Sequence, residues 1–222
     1  MLLAVDTSTA QTGLALYNGS HLLAEMIWQS NQNQTVQLAP AFNELLKRAD
    51  ARVADVEALG VAIGPGSFTG LRVGLAFVKG LALVRKLPLI GIPSLDILAA
   101  AQPIVKMPLA AVLQAGRARI ALGWYKVKGN QWKPKGEVRI STMDSFAASI
   151  DKPTLVVGEF TPEERQRLMR KKISVHLAPP SMCVRRPAVL AELAWTRWQA
   201  GELDDAASLA PIYLHTVETV LK

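Results

Sequence analysis

Asp6-Thr7-Ser8-Thr9 puts one carboxylate and three hydroxyls into a single short stretch. A carboxylate ending a strand, followed by hydroxyls and unpaired backbone N–H groups, can organise Mg²⁺ and phosphate. The same residue types also build turns by bonding their own backbone. A second stretch, "GPGSFTG" at 64–70, lies between an apolar run and a helical pattern. N–H groups at a helix start can face an anion. Asp6, Ser8, Thr9, Gly64, Gly66 and Ser67 are therefore the candidates for a nucleotide contact. Neither common phosphate loop is present, however. A Walker A loop needs Lys-Ser/Thr after its second glycine, and here Gly70 is followed by Leu71 and Arg72. A dinucleotide loop needs glycine at the sixth place, where Thr69 stands.

No catalytic residue and no metal site emerges from the rest of the chain. His21, His176 and His215 lack a metal-ligand spacing. Cys183, the single cysteine, sits between Met182 and Val184 without a histidine motif and reads as packing. One cysteine excludes an intrachain disulfide framework and fits a reducing compartment.

The formal net charge is +7. Residues 1–115 carry 8 Lys/Arg against 7 Asp/Glu, and residues 116–222 carry 17 against 11. Basic runs stand at Arg170–Lys172 and Arg185–Arg186. Such an excess steers toward RNA or an acidic partner, or is a solvated surface; aromatic residues do not interleave with it as a base-stacking platform requires. The apolar start ends at Asp6 without a basic segment before it, so no targeting peptide is expected. The longest apolar stretch, 73–84, is interrupted by Lys79 and is too short for a bilayer. A soluble cytoplasmic protein is the expectation, with no membrane partner.

The candidate residues must be positioned by their flanking elements. Apolar runs predict strands at 2–6, 12–17 and 21–28, with a hairpin at Asn18-Gly19. Helical spacing covers 33–49, with Pro40 inside it. A strand at 57–63, a helix at 69–86, a strand at 88–92 and a helix capped by Ser94 follow. The order then repeats: strands at 109–114, 119–127 and 131–140, a helix capped by Ser141 or Thr142, a strand at 154–158, a helix capped by Thr161, a strand at 173–178, and a helix at 187–201 ended by Gly201. A duplicated β-β-β-α-β-α-β-α unit predicts an α/β, two-lobed actin-like ATPase (ASKHA) fold. The lobes divide at 1–104 and 105–222. Gly70 and Gly74 share one helix face with Phe77, Val78 and Leu81. Each glycine costs about 1 kcal/mol in a helix interior relative to alanine. Close approach of a second helix is the expected compensation.

Four segments resemble the TsaB (YeaZ) family: "LLAVDTSTAQTGLALYNG" from residue 2, "GPGSFTGLRVG" from 64, "PLIGIPSLDILA" from 88 and "LAPIYL" from 209. The resemblance covers nearly the whole chain. It implies a non-catalytic subunit of the machinery that forms threonylcarbamoyladenosine in tRNA, beside the anticodon. Its implied partners are the catalytic, metal-carrying paralogue TsaD and the ATPase TsaE. The chain would pair with TsaD, or with itself when alone, through its first two helices. That places Phe42, Leu45, Leu46, Gly70, Gly74, Phe77, Val78 and Leu81 at the interface. It implies contact with tRNA only through the complex and no cofactor in this subunit, with ATP at the partner interface left open. The chain departs from the family pattern at Gln34, where a histidine is usual, at Gln114, where an aspartate is usual, and at Arg119, where a glutamate often stands. A carboxamide is a poor substitute for a carboxylate near Mg²⁺. The alternative readings are an actin-like enzyme using ATP itself, resting on Asp6 and the doubled architecture, and a metalloprotease-like relative, which needs a metal.

Overall fold

The structure, a computed structural model, describes residues 1–30, 33–116, 118–171 and 173–214. Arg117, Lys172 and His215 lie outside the described residues. The chain runs β1 (Leu2–Asp6), β2 (Gln11–Tyr17), β3 (Leu22–Gln29), α1 (Gln34–Arg48), β4 (Ala58–Ala62), α2 (Phe68–Arg85), β5 (Leu89–Ile92) and α3 (Ser94–Ala100). It continues as β6 (Leu109–Gln114), β7 (Arg119–Lys128), β8 (Gln131–Pro134), β9 (Arg139–Thr142), α4 (Met143–Ser149), β10 (Thr154–Gly158), α5 (Pro162–Met169), β11 (Val175–Leu177) and α6 (Pro187–Gln199). The first sheet has the order β3-β2-β1-β4-β5, antiparallel through β1 to β3 and parallel through β1, β4 and β5. The second follows the same plan as β11-β10-β6-β7-β8. This is the two-lobed α/β fold of the actin-like ATPases, and the duplication read from the sequence is present.

One strand differs from expectation. The run at 131–140 breaks into β8 and β9, which pair with Tyr125–Lys128 and Arg119–Leu122 of β7. Pro134 cannot donate to a ladder, and Gly136, at φ +82°, turns the chain there.

β1 and β4 are buried at every residue. Strands apolar on both faces need cover on both. On one face, Leu3, Val5, Leu14 and Leu16 pack against α1 and α2 through Leu38, Phe42, Leu45, Leu75 and Val78. On the other, Leu2, Ala4 and Ala15 meet Leu190, Ala191 and Ala194 of α6. Small residues bring α6 close, since a Cβ on Gly60 would stand 2.8 Å from that of Ala194. The last helix of the second repeat therefore covers the first sheet. The reverse holds for α3, whose Leu95, Leu98 and Ala99 pack on β6 and on Tyr125 of β7. A division of the chain at 104 and 105 counts α6 with the second lobe, while its packing is on the first.

Tyr125 fastens α3 by donating its hydroxyl to Asp96 Oδ1 at 2.6 Å. Burial pushes the Asp96 carboxyl above its ordinary range, against the opposing effect of that hydrogen bond. Thr142 caps α4, Thr161 and Glu164 form a capping box on α5, and Gly201 at φ +75° follows α6. Ser94 is not a cap. It lies inside α3, and its Oγ accepts from the Gly64 N–H at 3.2 Å. Among the described residues no helix is long and apolar enough to cross a membrane.

Leu190 is fully buried against the first sheet, so Leu190→Ala should lower stability by about 2–5 kcal/mol in chemical denaturation. Because the lobes exchange helices, probes near Trp28 in β3 and Trp124 in β7 should report one shared transition. Two separated transitions would contradict the interlocked packing.

Candidate functional site

β1 delivers Asp6 to the cleft between the lobes, where it is 2% exposed. Its Oδ1 accepts the Ser8 N–H at 2.8 Å and the Ser8 hydroxyl. Its Oδ2 accepts Nε–H of Arg185 at 2.9 Å. Arg185 precedes α6 and its side chain is completely buried. One terminal nitrogen donates to Glu159 Oε1, and the other to Thr9 Oγ1 at 2.7 Å and to the Gln11 carbonyl at 3.1 Å. The Thr9 hydroxyl donates to Glu159 Oε1 at 2.9 Å. Glu159 follows β10 in the second lobe. One guanidinium thus joins the turn after β1, the end of β10 and the entry to α6. Burial alone would push the Arg185 guanidinium down, but Asp6 and Glu159 outweigh it and hold the group above its ordinary value.

The glycine-rich turn closes on the same turn from the other side. Ser67 N–H donates to the Ser8 carbonyl at 2.6 Å. A Cβ on Gly66 would collide with that carbonyl, one on Gly70 with the Thr7 carbonyl, and one on Gly74 with Thr7 Oγ1. Thr7 Oγ1 donates to the Gly70 carbonyl at 2.7 Å. Ser67 Oγ accepts the Gly70 N–H at 3.3 Å and so caps the start of α2. Gly64, at φ +102°, is tied to Ser94 through both of its backbone groups.

The nucleotide candidates therefore lie on two turns that meet at Ser8, but the side chains of Asp6, Ser8, Thr9 and Ser67 are engaged with one another, Arg185, Glu159 and Gly70. They do not fit Mg²⁺, because a fixed cation already holds Asp6 and a second would meet like charge. The second lobe gives no replacement. Gln114, at the place where the family usually has an aspartate, donates its Nε2–H groups to Glu164 Oε2 at 2.9 Å and to the Glu159 carbonyl at 3.2 Å; an ionised carboxylate could make neither bond. Gln34 is buried and donates to the Thr9 carbonyl at 3.2 Å. His21 and His176 are exposed, and the described residues contain no metal-competent cluster. Cys183 is half-buried, with its thiol 3.6 Å from the Ala178 carbonyl.

The second place of interest is the outer side of α1 and α2. Of the residues expected at an interface there, Phe42, Leu45, Leu46 and Val78 lie in the core, and Gly70 and Gly74 are buried against Thr7. The physical reason is that the turn after β1 already occupies the glycine face. Phe77 and Leu81 are half-buried, and Phe77 stacks edge-on against Phe42. The outward face of α2 carries Ala76, Gly80, Leu83 and Val84 instead. Leu83 and Val84 are each 81% exposed, and a Cβ on Gly80 would meet nothing within 4 Å. Between the helices lies a groove of about 440 Å³ lined by Leu38, Ala39, Phe68, Val73, Ala76 and Phe77. Phe68 is held beneath the Arg72 guanidinium, 3.5 Å above its ring.

Sequence reasoning missed Arg185 and Glu159, and the outward stripe of α2. The stripe had a signal. α2 is apolar all round, with charge only at Arg72, Lys79 and Arg85, so its pattern has no polar face turned to solvent. Arg185 had none, since it pairs across 179 positions.

The family model described as TsaD, tRNA N6-adenosine threonylcarbamoyltransferase, matches residues 22–182. A tRNA threonylcarbamoyladenosine biosynthesis protein TsaB from Bacillus subtilis is 31% identical over 170 residues, 75% of this chain and 74% of that protein. A tRNA N6-adenosine threonylcarbamoyltransferase from Pediococcus pentosaceus is 29% identical over 178 residues, 71% of this chain and 50% of that enzyme. The solved structure of YeaZ from Pseudomonas aeruginosa superimposes with a TM-score of 0.79 at 24% identity, covering 96% of this chain and 99% of that one.

Removing the cation leaves Asp6 buried without its partner. Arg185→Ala should cost about 3–5 kcal/mol in chemical denaturation. Arg185→Lys should recover little, because one ammonium cannot reach the separate acceptors of a guanidinium. Full stability in Arg185→Lys would show that charge alone, and not the fork geometry, holds the joint.

Proposed function

Since the chain belongs to the TsaB (YeaZ) family and is a subunit in the biosynthesis of threonylcarbamoyladenosine in tRNA, we propose that it acts there as a non-catalytic scaffold. It pairs with a TsaD-type transferase through the outward face of α1 and α2. The observation that carries the reading is the stripe Ala76-Gly80-Leu83-Val84 beside the apolar groove. Two large aliphatic side chains at 81% exposure on one helix end are apolar area that association would remove from water. Ala76 and Gly80, four residues apart, let a partner helix come close. The same face would serve self-pairing when the chain is alone. The ATPase TsaE joins the assembly elsewhere, tRNA is engaged in the context of the complex, and the cytoplasm is the compartment. ATP, where the assembly uses it, belongs at the partner interface and not to this chain alone. The residues around Asp6 favour this over an ATP-using enzyme, because Arg185 and Ser8 already take the Asp6 carboxylate.

Mixing the chain with a TsaD-type transferase and measuring mass in solution should give a heterodimer at micromolar concentration. Gly80→Arg and Leu83→Glu should abolish it without lowering the melting temperature. Gly74→Leu should instead destabilise the fold, because its side chain would enter the space of Thr7. No heterodimer, or normal pairing by both outward variants, would sink this reading. Calorimetry with Mg-ATP should show no stoichiometric binding to the isolated chain. Tight binding lost on Asp6→Asn would favour the enzyme.

A further inference from the structure

Positive charge gathers in two segments of this chain: residues 165–172 hold five Lys or Arg and no acid, and the strands β7 to β9 hold as great an excess. Residues 119–142, from β7 to β9, hold six Lys or Arg and one acid, Glu137, a local excess of +5. β6 pairs with β7 only as far as Tyr125. Beyond it, β7 and β8 continue as a two-stranded hairpin, with Lys126 opposite Lys133 and Lys128 opposite Gln131. Alternation puts Trp124, Lys126 and Lys128 on one face. The Lys135 N–H bonds the Trp124 carbonyl at 2.7 Å, and Arg139 lies opposite Leu122. Arg139, Lys135 and Lys133 thus form a second row beside the first.

All five cations are exposed. Among the described residues none of them makes a salt bridge. Like charges directly opposite across two strands destabilise a sheet, so Lys126 against Lys133 is a cost, offset only in part by the attraction between Lys133 and the Asp96 carboxylate. The hairpin is nonetheless well anchored from its other face. Trp132 is buried and donates its Nε1–H to the Gln102 carbonyl at 3.3 Å. The basic pair at 185–186 does not compete for a polyanion, since Arg185 is buried and Arg186 pairs with Glu25.

We propose that this hairpin face contacts the phosphate backbone of the tRNA that the pathway modifies. Cations two residues apart on a strand stand about 7 Å from one another, and neutralising phosphates with them releases counterions. A ribbon of this kind positions a nucleic acid by shape and charge without reading its sequence. The choice of RNA over another polyanion rests on membership of a tRNA-modifying family; the placement of the contact rests on the hairpin alone and is independent of the face that docks the transferase.

Fluorescence anisotropy with labelled, unmodified tRNA tests this on the full chain, alone and mixed with the transferase, between about 50 and 200 mM salt. Lys126→Glu/Lys128→Glu/Lys133→Glu should weaken binding at least about tenfold and flatten the slope of log affinity against log salt by about 2 to 3. Lys106→Glu/Lys152→Glu/Arg170→Glu changes the net charge equally at exposed positions elsewhere and should stay within about twofold of the parent. Equal losses for both variants, or no loss in the first, would overturn the proposal. So would displacement of tRNA by poly-glutamate at equal charge, which would point to an acidic protein segment. The hairpin variant should still co-elute with the transferase, and loss of co-elution would assign the hairpin to that partner. Failure of the parent chain to pair would count against the scaffold reading and leave the anisotropy of the chain alone as the test of the hairpin.

Discussion

The Arg185 guanidinium governs the rest of this molecule. A charge taken fully out of water must be paired and hydrogen-bonded, or the group is expelled or the fold fails. Here Asp6, Thr9, Gln11 and Glu159 supply the acceptors from both lobes. That requirement fixes where the turn after β1 lies, where β10 ends and how α6 enters. α6 then covers the first sheet, and α3 covers the second. The lobes are joined by an ion network at the cleft and by exchanged helices behind it.

A committed cleft has a consequence for α2. Gly66, Gly70 and Gly74 are small because Thr7 and Ser8 must approach the helix backbone. Each helical glycine costs about 1 kcal/mol relative to alanine; the close approach allows the Thr7–Gly70 hydrogen bond and the Ser67–Ser8 contact. With its inner face spent on its own chain, α2 keeps apolar side chains on its outer face as well. Leu83 and Val84 have no role in the core. In the proposed reading, a partner helix covers them.

Local chemistry was readable from the sequence, and long-range pairing was not. The repeat, the strand runs and the caps at Thr142 and Thr161 follow from patterns a few residues long. Arg185 and Arg186 read alike as a basic pair, yet one is buried in an ion network and the other lies at the surface against Glu25. Nothing local separates them. The two small-residue stripes of α2 could not be assigned to sides either, because a helix apolar all round has no periodicity that chooses a face. The helix exchange escaped for a similar reason. An apolar face records that a helix is covered, and it does not record which sheet covers it. The charged hairpin was obscured because 131–140 reads as one strand, and only the break at Pro134–Gly136 shows which part of β7 its cations stand beside.

The residues that depart from a nucleotide-handling cleft are substitutions with gains. Gln114 makes two donor bonds that an aspartate could not. Arg185 supplies permanently, from within the chain, the positive charge that an actin-like enzyme obtains from a bound metal. An enzyme of this fold needs lobes that open to exchange nucleotide. A joint closed by a buried guanidinium opposes that motion, since opening would strand charge on both sides. Rigidity suits a subunit whose work is docking, because a surface already held in its bound shape loses less entropy on association. On the reading proposed above, the groups that oppose ATP chemistry are the same groups that would hold the fold rigid for a partner.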